Sequence, residues 1–179
     1  MRSNLSDMNK RLVALSLLVI AAVASRFIPH LPNFTPIAAI ALFGGVYFTD
    51  KRLAIIIPLL AMFISDLVIG LHDTLIYVYA SFAIIALLGV VMKSKLQTPW
   101  TLPVLSVFSS LLFYTITNFG VWASGILYPQ TADGLGMAYL AGLPFLKYSL
   151  AGDAFYILML FGGWALLQNR VPELRVKFA

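Results

Sequence analysis

The sequence predicts an all-α integral membrane protein with six transmembrane helices, both termini cytoplasmic and an outward-facing pocket. Three observations carry this. Hydrophobic residues make up 61% of the 179-residue chain and charged residues only 11%, whereas soluble domains carry about a quarter charged residues; the mean hydropathy is +0.93. The apolar residues fall into long runs separated by short polar turns, and a chain of this length holds roughly six spans of about 20 residues. Lysine and arginine collect in alternate turns, as a fixed membrane orientation requires. Residues 1–179 then form a single membrane domain, with nothing left over for a soluble catalytic domain.

The first span is expected at about Arg11–Ile28. The basic Met1–Arg11 followed by the apolar Leu12–Ala24 has the outline of a signal peptide, but Arg26, Phe27, Ile28 and Pro29 follow without a small-x-small cleavage site, so the segment reads as a retained span. Three prolines within Pro29–Pro36 forbid regular helix there. Span 2 starts at Pro36, a residue suited to a first helical position, and runs to about Phe48. It is short for a crossing and is expected to line a cavity rather than face lipid. Ala38, Ala41, Gly44 and Gly45 give it a small-residue face for close helix contact.

Span 3 is about Leu53–Gly70, with a kink expected at Pro58, and span 4 is about Leu75–Met92. Span 5 is about Leu102–Leu127 and leaves the hydrocarbon before its end, where Asn118, Trp122 and Ser124 sit. Tyr128–Gly142, containing Pro129, Gln130, Asp133 and three glycines, reads as the longest loop. Span 6 is about Leu143–Leu167. With an inner N-terminus, ten lysines and arginines lie inside and only Arg26 and Lys147 outside. This bias supports six crossings, and the net charge of +5 reads as topology rather than nucleic-acid binding.

On this layout the costly polar residues share the outer half: Arg26, His30, Asn33, Asp66, His72, Asp73, Asn118, Trp122, Tyr128, Asp133, Lys147 and Asp153. An ion pathway needs polar stepping stones through the full thickness, and the inner halves offer almost none. The pattern therefore favours a pocket open to the outside and closed below by apolar packing. Phe34, Tyr77, Tyr79, Phe119, Trp122, Tyr128, Tyr139 and Tyr148 gather near its mouth, either as an interfacial aromatic belt or as part of a small-ligand site. Arg26 and Asp66 are candidates for an ion pair joining spans 1 and 3, with Asp153 as a rival partner for Arg26. His72 and His30 read as hydrogen-bonding loop residues or ligand contacts.

Several chemistries are excluded. With no cysteine, disulfides and thiolate sites are absent. Two histidines without i, i+4 spacing make no zinc site. Ser16, Ser25, Ser65 and Ser81 have no adjacent base, so no hydrolase nucleophile is expected and the chain does not read as an enzyme.

Two stretches carry a family resemblance. R-F-I-P-H-L-P-N-F-T-P-I-A-A-I-A-L-F-G-G (Arg26–Gly45) and S-D-L-V-I-G-L-H-D-T-L-I-Y-V-Y (Ser65–Tyr79) resemble small bacterial six-helix membrane proteins, the substrate-binding S-components of energy-coupling factor (ECF) vitamin transporters, in particular the solitary cobalamin-specific BtuM type. The resemblance implies a multi-pass protein of the bacterial cytoplasmic (inner) membrane that binds a vitamin, cobalamin or another corrinoid, as transported ligand, with no intrinsic cofactor. It implies a monomer with an outward-facing vitamin pocket capped by the outer loops; joined to the polarity map above, the residues expected to line or cap it are Arg26, His30, Asn33, Phe34, Asp66, His72, Tyr77, Asn118, Trp122, Tyr128 and Asp153. Tyrosine and tryptophan would stack on the ligand, Asn33 and Asn118 would bond its amides, and the Arg26–Asp66 pair would shape the wall. Some cobalamin-specific members place a cysteine on the cobalt; here either His72 or His30 would supply an axial imidazole instead, or the cobalt would receive no protein ligand. Docking to an ECF transmembrane subunit with its ATPases would use Ala21, Ala22 and Ser25, although the family's A-x-x-x-A spacing is absent from span 1. Another vitamin on the same scaffold, or a structural or assembly subunit of a larger membrane complex, are the alternatives.

Overall fold

The computed structural model describes residues 5–29, 31–97 and 100–174. All regular structure among them is helical: α1 (Leu5–Ala24), α2 (Ile37–Tyr47), α3 (Lys51–Ile69), α4 (Leu75–Met92), α5 (Thr101–Ala123), α6 (Ala132–Ile157) and α7 (Gly163–Arg170). A π-helical turn, Leu158–Gly162, joins α6 to α7, and a 3-10 turn, Pro172–Leu174, packs back on α1. Five helical stretches are long and apolar enough to cross a membrane, as expected of a multi-pass membrane protein.

The sixth passage is of another kind. α2 has 11 residues, about 16 Å at 1.5 Å per residue, against a hydrocarbon core of about 30 Å. It is apolar on every side, as a core helix or a membrane span can be, and burial decides between them: every one of its residues is buried. The chain still passes between the two ends of the bundle here. Arg11, near the start of α1, donates to the Tyr47 carbonyl at the end of α2 (3.1 Å), while Arg26, after α1, meets Asp66 near the end of α3. The end carrying Arg11, Lys51, Arg52, Lys93 and Arg170 is called the basic end below, and the other the cavity end.

Small residues let α2 sit at the centre. Consecutive helical positions point about 100° apart, so Gly44 and Gly45 meet different neighbours. A β-carbon on Gly44 would lie 2.7 Å from the Pro58 ring and 3.0 Å from the Ala54 carbonyl of α3; one on Gly45 would enter the Ala86 carbonyl of α4 and come within 3.0 Å of Gly89. The expected small-residue face is therefore used twice. Pro58 lies within the continuous helix α3, its ring against Gly44. At the basic end Phe43 and Tyr47 pack with Phe161 and Trp164, ring centroids 4.8–6.3 Å apart.

The segment before α2 enters the bundle without helical structure. Pro32 and Asn33 occupy the centre of a turn closed by the Phe34 N–H to the Leu31 carbonyl (3.0 Å). Asn33 has φ 60°, which asparagine tolerates better than most residues. Beyond the turn the backbone lies on Gly152 of α6, where a β-carbon would come within 3.1 Å of the Phe34 Cα and 3.2 Å of the Thr35 nitrogen. Irregular backbone at membrane depth is tolerated where protein covers it or where it lines a cavity, and this loop does both.

The structure corrects the reading of Tyr128–Gly142 as a loop. α6 begins at Ala132, with Thr131 as N-cap accepting from the Gly134 N–H (3.2 Å) and Asp133 in the first turn. Acidic residues and Thr caps stabilise helix starts. Two of the three glycines that suggest a loop belong to a buried stripe at i+4 spacing, Gly134, Ala138 and Gly142, which lets α6 close on α5. The continuous helical stretch Ala132–Arg170 has 39 residues, roughly 58 Å, so it outruns the hydrocarbon layer.

Candidate functional site

At the cavity end α3, α4, α5 and α6 and the start of α2 border a cavity of about 430 Å³. Its floor and walls are apolar: Ile37 from the start of α2, Met62 from α3, Val78 from α4, Phe113 from α5 and Phe145 from α6. Polar side chains enter from every element that reaches this level. Arg26 comes from the turn after α1, Asn33 and Thr35 from the loop before α2, Asp66 from α3, His72 and Thr74 from the α3–α4 connection, Thr117 and Asn118 from α5, and Tyr128 from the α5–α6 connection.

Arg26 and Asp66 form the central electrostatic feature. Nη2 of Arg26 lies 2.7 Å from Oδ1 of Asp66, with the side chains 11% and 3% exposed. Arg26 also donates to the Ser65 hydroxyl, which in turn donates to the Met62 carbonyl (2.7 Å). The Tyr79 hydroxyl donates to Oδ2 of Asp66 (2.6 Å). Each member of the pair thus has a second hydrogen-bond partner, which helps to offset its desolvation, and the pair gives the cavity wall a strong dipole with no net charge. The remaining polar groups are neutral amides and hydroxyls, apart from the imidazole of His72. The amide nitrogen of Asn118 donates to the Tyr114 carbonyl one turn earlier (2.8 Å), and its side chain lies over the bare face of Gly142.

Asp153 lies deeper, 4% exposed. The Ser110 hydroxyl donates to its Oδ2 (2.6 Å) and the Ala39 backbone N–H points at it. Ala39 lies in the first turn of α2, whose amides have no partner within the helix. Asp153 therefore caps α2 from across the bundle. Asp153 also lines a small void, about 10 Å³, that shares Asn33, Thr35, Ile37 and Phe113 with the main cavity.

Six of the residues singled out from the sequence meet in the main cavity: Arg26, Asn33, Asp66, His72, Asn118 and Tyr128. His72 lies exposed at its rim, with Nδ1 3.0 Å from the Thr74 hydroxyl. Among the described residues no group of three or more histidines or acids could hold a metal ion. His30 lies outside the described residues.

Three aromatic candidates serve elsewhere. The Phe34 ring packs against Phe155 and Tyr156 (5.8 Å each) and pins the loop to α6. Tyr77 packs edge-on to Phe119 (6.1 Å) and covers Gly120. Trp122 donates its indole N–H to the Pro129 and Thr131 carbonyls (3.1 Å each), holding the α5–α6 connection. Asp153 pairs with Ser110 and not with Arg26, because Asp66 already occupies the guanidinium. Of the proposed docking residues, Ala22 is buried, and Ser25 turns inward to the Tyr156 hydroxyl (3.0 Å); Ala21 faces outward.

Sequence reasoning missed Thr35, Thr74, Thr117 and the partners Ser65 and Ser110, and it placed Tyr79 at the mouth without its bond to Asp66. Ser110, Phe113, Thr117, Asn118 and Val121 share one helical face, and that spacing was the available signal for α5. The other partners come from separate helices and leave no local signature.

Residues 6–174 match the profile of a family of unknown function, DUF6580, and the chain belongs to that family. No curated protein and no solved structure matches it.

Proposed function

We propose that the protein is a ligand-binding membrane component for uptake of a vitamin-sized, polar but net-neutral molecule, S-component-like in its working. The carrying observation is the cavity itself. It is open at one end, closed at the other by the wholly buried α2, and lined by a self-neutralised ion pair, two asparagines and several hydroxyls. A mostly apolar site with a few placed polar groups is how small ligands are usually held. The positive-inside rule puts the basic end in the cytoplasm, together with both termini, so the cavity faces outward across a bacterial inner membrane. Deeper than the cavity, Asp153 is engaged by Ser110 and by the start of α2, which supports capture rather than autonomous conduction. Release would then need a partner such as an ECF transmembrane subunit with its ATPases, approached along the outward face of α1 at Ala21.

The volume, about 430 Å³, lies near the lower end of drug-sized ligand sites. It suits a small vitamin better than a whole corrinoid. One observation favours the corrinoid reading: the Nδ1 contact of His72 with Thr74 leaves Nε2 free at the cavity rim, the arrangement that orients an imidazole towards a metal. A corrinoid would then sit across the mouth with one amide arm inside.

The test is mass spectrometry of small molecules released from protein purified in mild detergent, beside calorimetry and absorbance spectra with added cobalamin. A retained small molecule that Asn118→Leu abolishes supports the main reading. A corrinoid band shifted by His72→Ala supports the second. Protein that retains nothing and binds neither cobalamin nor other vitamins leaves the assembly-subunit reading.

A further inference from the structure

Asp153 has more acceptor capacity than its partners use. A carboxylate offers about four lone-pair positions. The Ser110 hydroxyl takes one at 2.6 Å and the Ala39 N–H a second, while the start of α2 answers about half of the charge. The carboxylate borders the void of about 10 Å³ beside the main cavity, and among the described residues no lysine or arginine lines that void. Ser149 lines it too, one turn before Asp153 on the same face of α6. Its side chain is 7% exposed and makes no hydrogen bond among the described residues. Asn33 and Thr35, from the irregular segment before α2, complete the polar lining.

A space of this size holds about one water molecule or one small ion. Charge decides between them. Ionised groups inside a membrane are held in pairs, and here a carboxylate meets oxygen-bearing side chains with no cation among them. Hard cations take oxygen ligands, and irregular backbone at membrane depth coordinates alkali cations in known bundles. We propose that the void binds one alkali-metal cation, sodium or potassium, held by Asp153, Ser149 and the Asn33–Thr35 segment. A single carboxylate balances a single charge, so a divalent ion would keep an uncompensated positive charge. Such an ion needs one carboxylate and neutral oxygens rather than a cluster of acids or histidines. Asn33 and Thr35 also line the main cavity, so the bound ion fixes a segment that a ligand there would meet. The ion site itself does not rest on the uptake reading.

The experiment is thermal unfolding of the full chain in a non-ionic detergent, without ligand and at constant pH and ionic strength. Sodium or potassium chloride replaces N-methylglucamine chloride stepwise. The unfolding midpoint rises and saturates with the alkali cation, as binding to the folded state requires, and the more effective ion identifies the occupant. Asp153→Asn, which keeps an acceptor for Ser110, removes the rise. Ser149→Ala moves half-saturation about tenfold higher, the loss of one contact to a charged group. Asp133→Asn, in the exposed first turn of α6, leaves the response unchanged. A midpoint indifferent to the cation present, as a void holding only water or a protonated Asp153 gives, overturns the proposal. A full rise surviving in Asp153→Asn does the same. If Asp153→Asn does not fold, Ser149→Ala decides, and an unchanged half-saturation overturns the site.

Discussion

Asp66 and Asp153 are both buried carboxylates in apolar helices, and they are compensated in opposite ways. Asp66 faces a full positive charge, with Arg26 at 2.7 Å and Tyr79 at 2.6 Å on its other oxygen. Among the described residues Asp153 faces no side-chain cation. It is answered by one hydroxyl, one backbone N–H and the start of a short helix, whose partial positive charge is equivalent to about half an elementary charge. The difference follows from position. Asp66 borders a cavity that water and ligand reach, where a long arginine can approach from the end of α1. Asp153 sits against an irregular loop that opens into a half-length helix, where unpaired amides already need an acceptor. A buried acid can thus be a wall of a binding site or a fastening of the backbone, according to whether a side chain or the main chain answers it.

The comparison breaks most clearly at Arg26. Arg26→Met leaves Asp66 buried and uncompensated, at an expected cost of about 3–5 kcal/mol, read as a lowered unfolding midpoint in micelles. Adding Asp66→Leu restores much of that stability while abolishing ligand retention. An Arg26→Met protein as stable as the original would show that the pair carries nothing.

Next comes the contrast between the two acids. Asp66→Asn strands the Arg26 guanidinium, whereas Asp153→Asn keeps an acceptor oxygen for Ser110 and Ala39. The first substitution should cost at least about 2 kcal/mol more than the second, given the penalty for an unpaired buried charge. Equal costs would mean that the helix start answers Asp153 as fully as arginine answers Asp66.

Smaller effects sharpen the assignment of partners. Tyr79→Phe removes a hydrogen bond to a charged acceptor and should cost about 1.5–3 kcal/mol. Ser110→Ala should cost about 0.6 kcal/mol and no more than about 1.7, the range for hydrogen bonds between membrane helices. Its signature is local: hydrogen exchange should quicken at the first amides of α2 and leave the end of α3 unchanged. Faster exchange at the end of α3 instead would contradict the capping role of Asp153.

The helical class, the chain path and the polar rim were legible in the sequence because each rests on local physics. Apolar runs, prolines at 29–36 and paired small residues in α2 act within a few residues of themselves. The Arg26–Asp66 pairing was one of two options that charge alone allowed. The start of α6 was misread because glycine serves two purposes. In Gly134–Gly142 the missing side chains permit helix contact with α5, and the same letters in a polar stretch signal a turn. Phe34, Tyr77 and Trp122 were placed at the site by their chemistry, but ring packing depends on the neighbour that comes to cover it.

By itself the sequence determined that this chain is a bundle of membrane-length helices with its basic residues gathered at one end, because hydropathy and charge act through the bilayer without reference to any fold. Only the tertiary structure decided which groups meet. It set Arg26 on Asp66 rather than on Asp153, laid the Asn33–Thr35 backbone on Gly152, buried α2 as the closed floor of the cavity and turned Ser110 to Asp153 across two helices. Those contacts join residues from about 40 positions apart, as Arg26 and Asp66 are, to about 118, as Phe34 and Gly152 are, and their geometry is fixed by packing that no local pattern specifies.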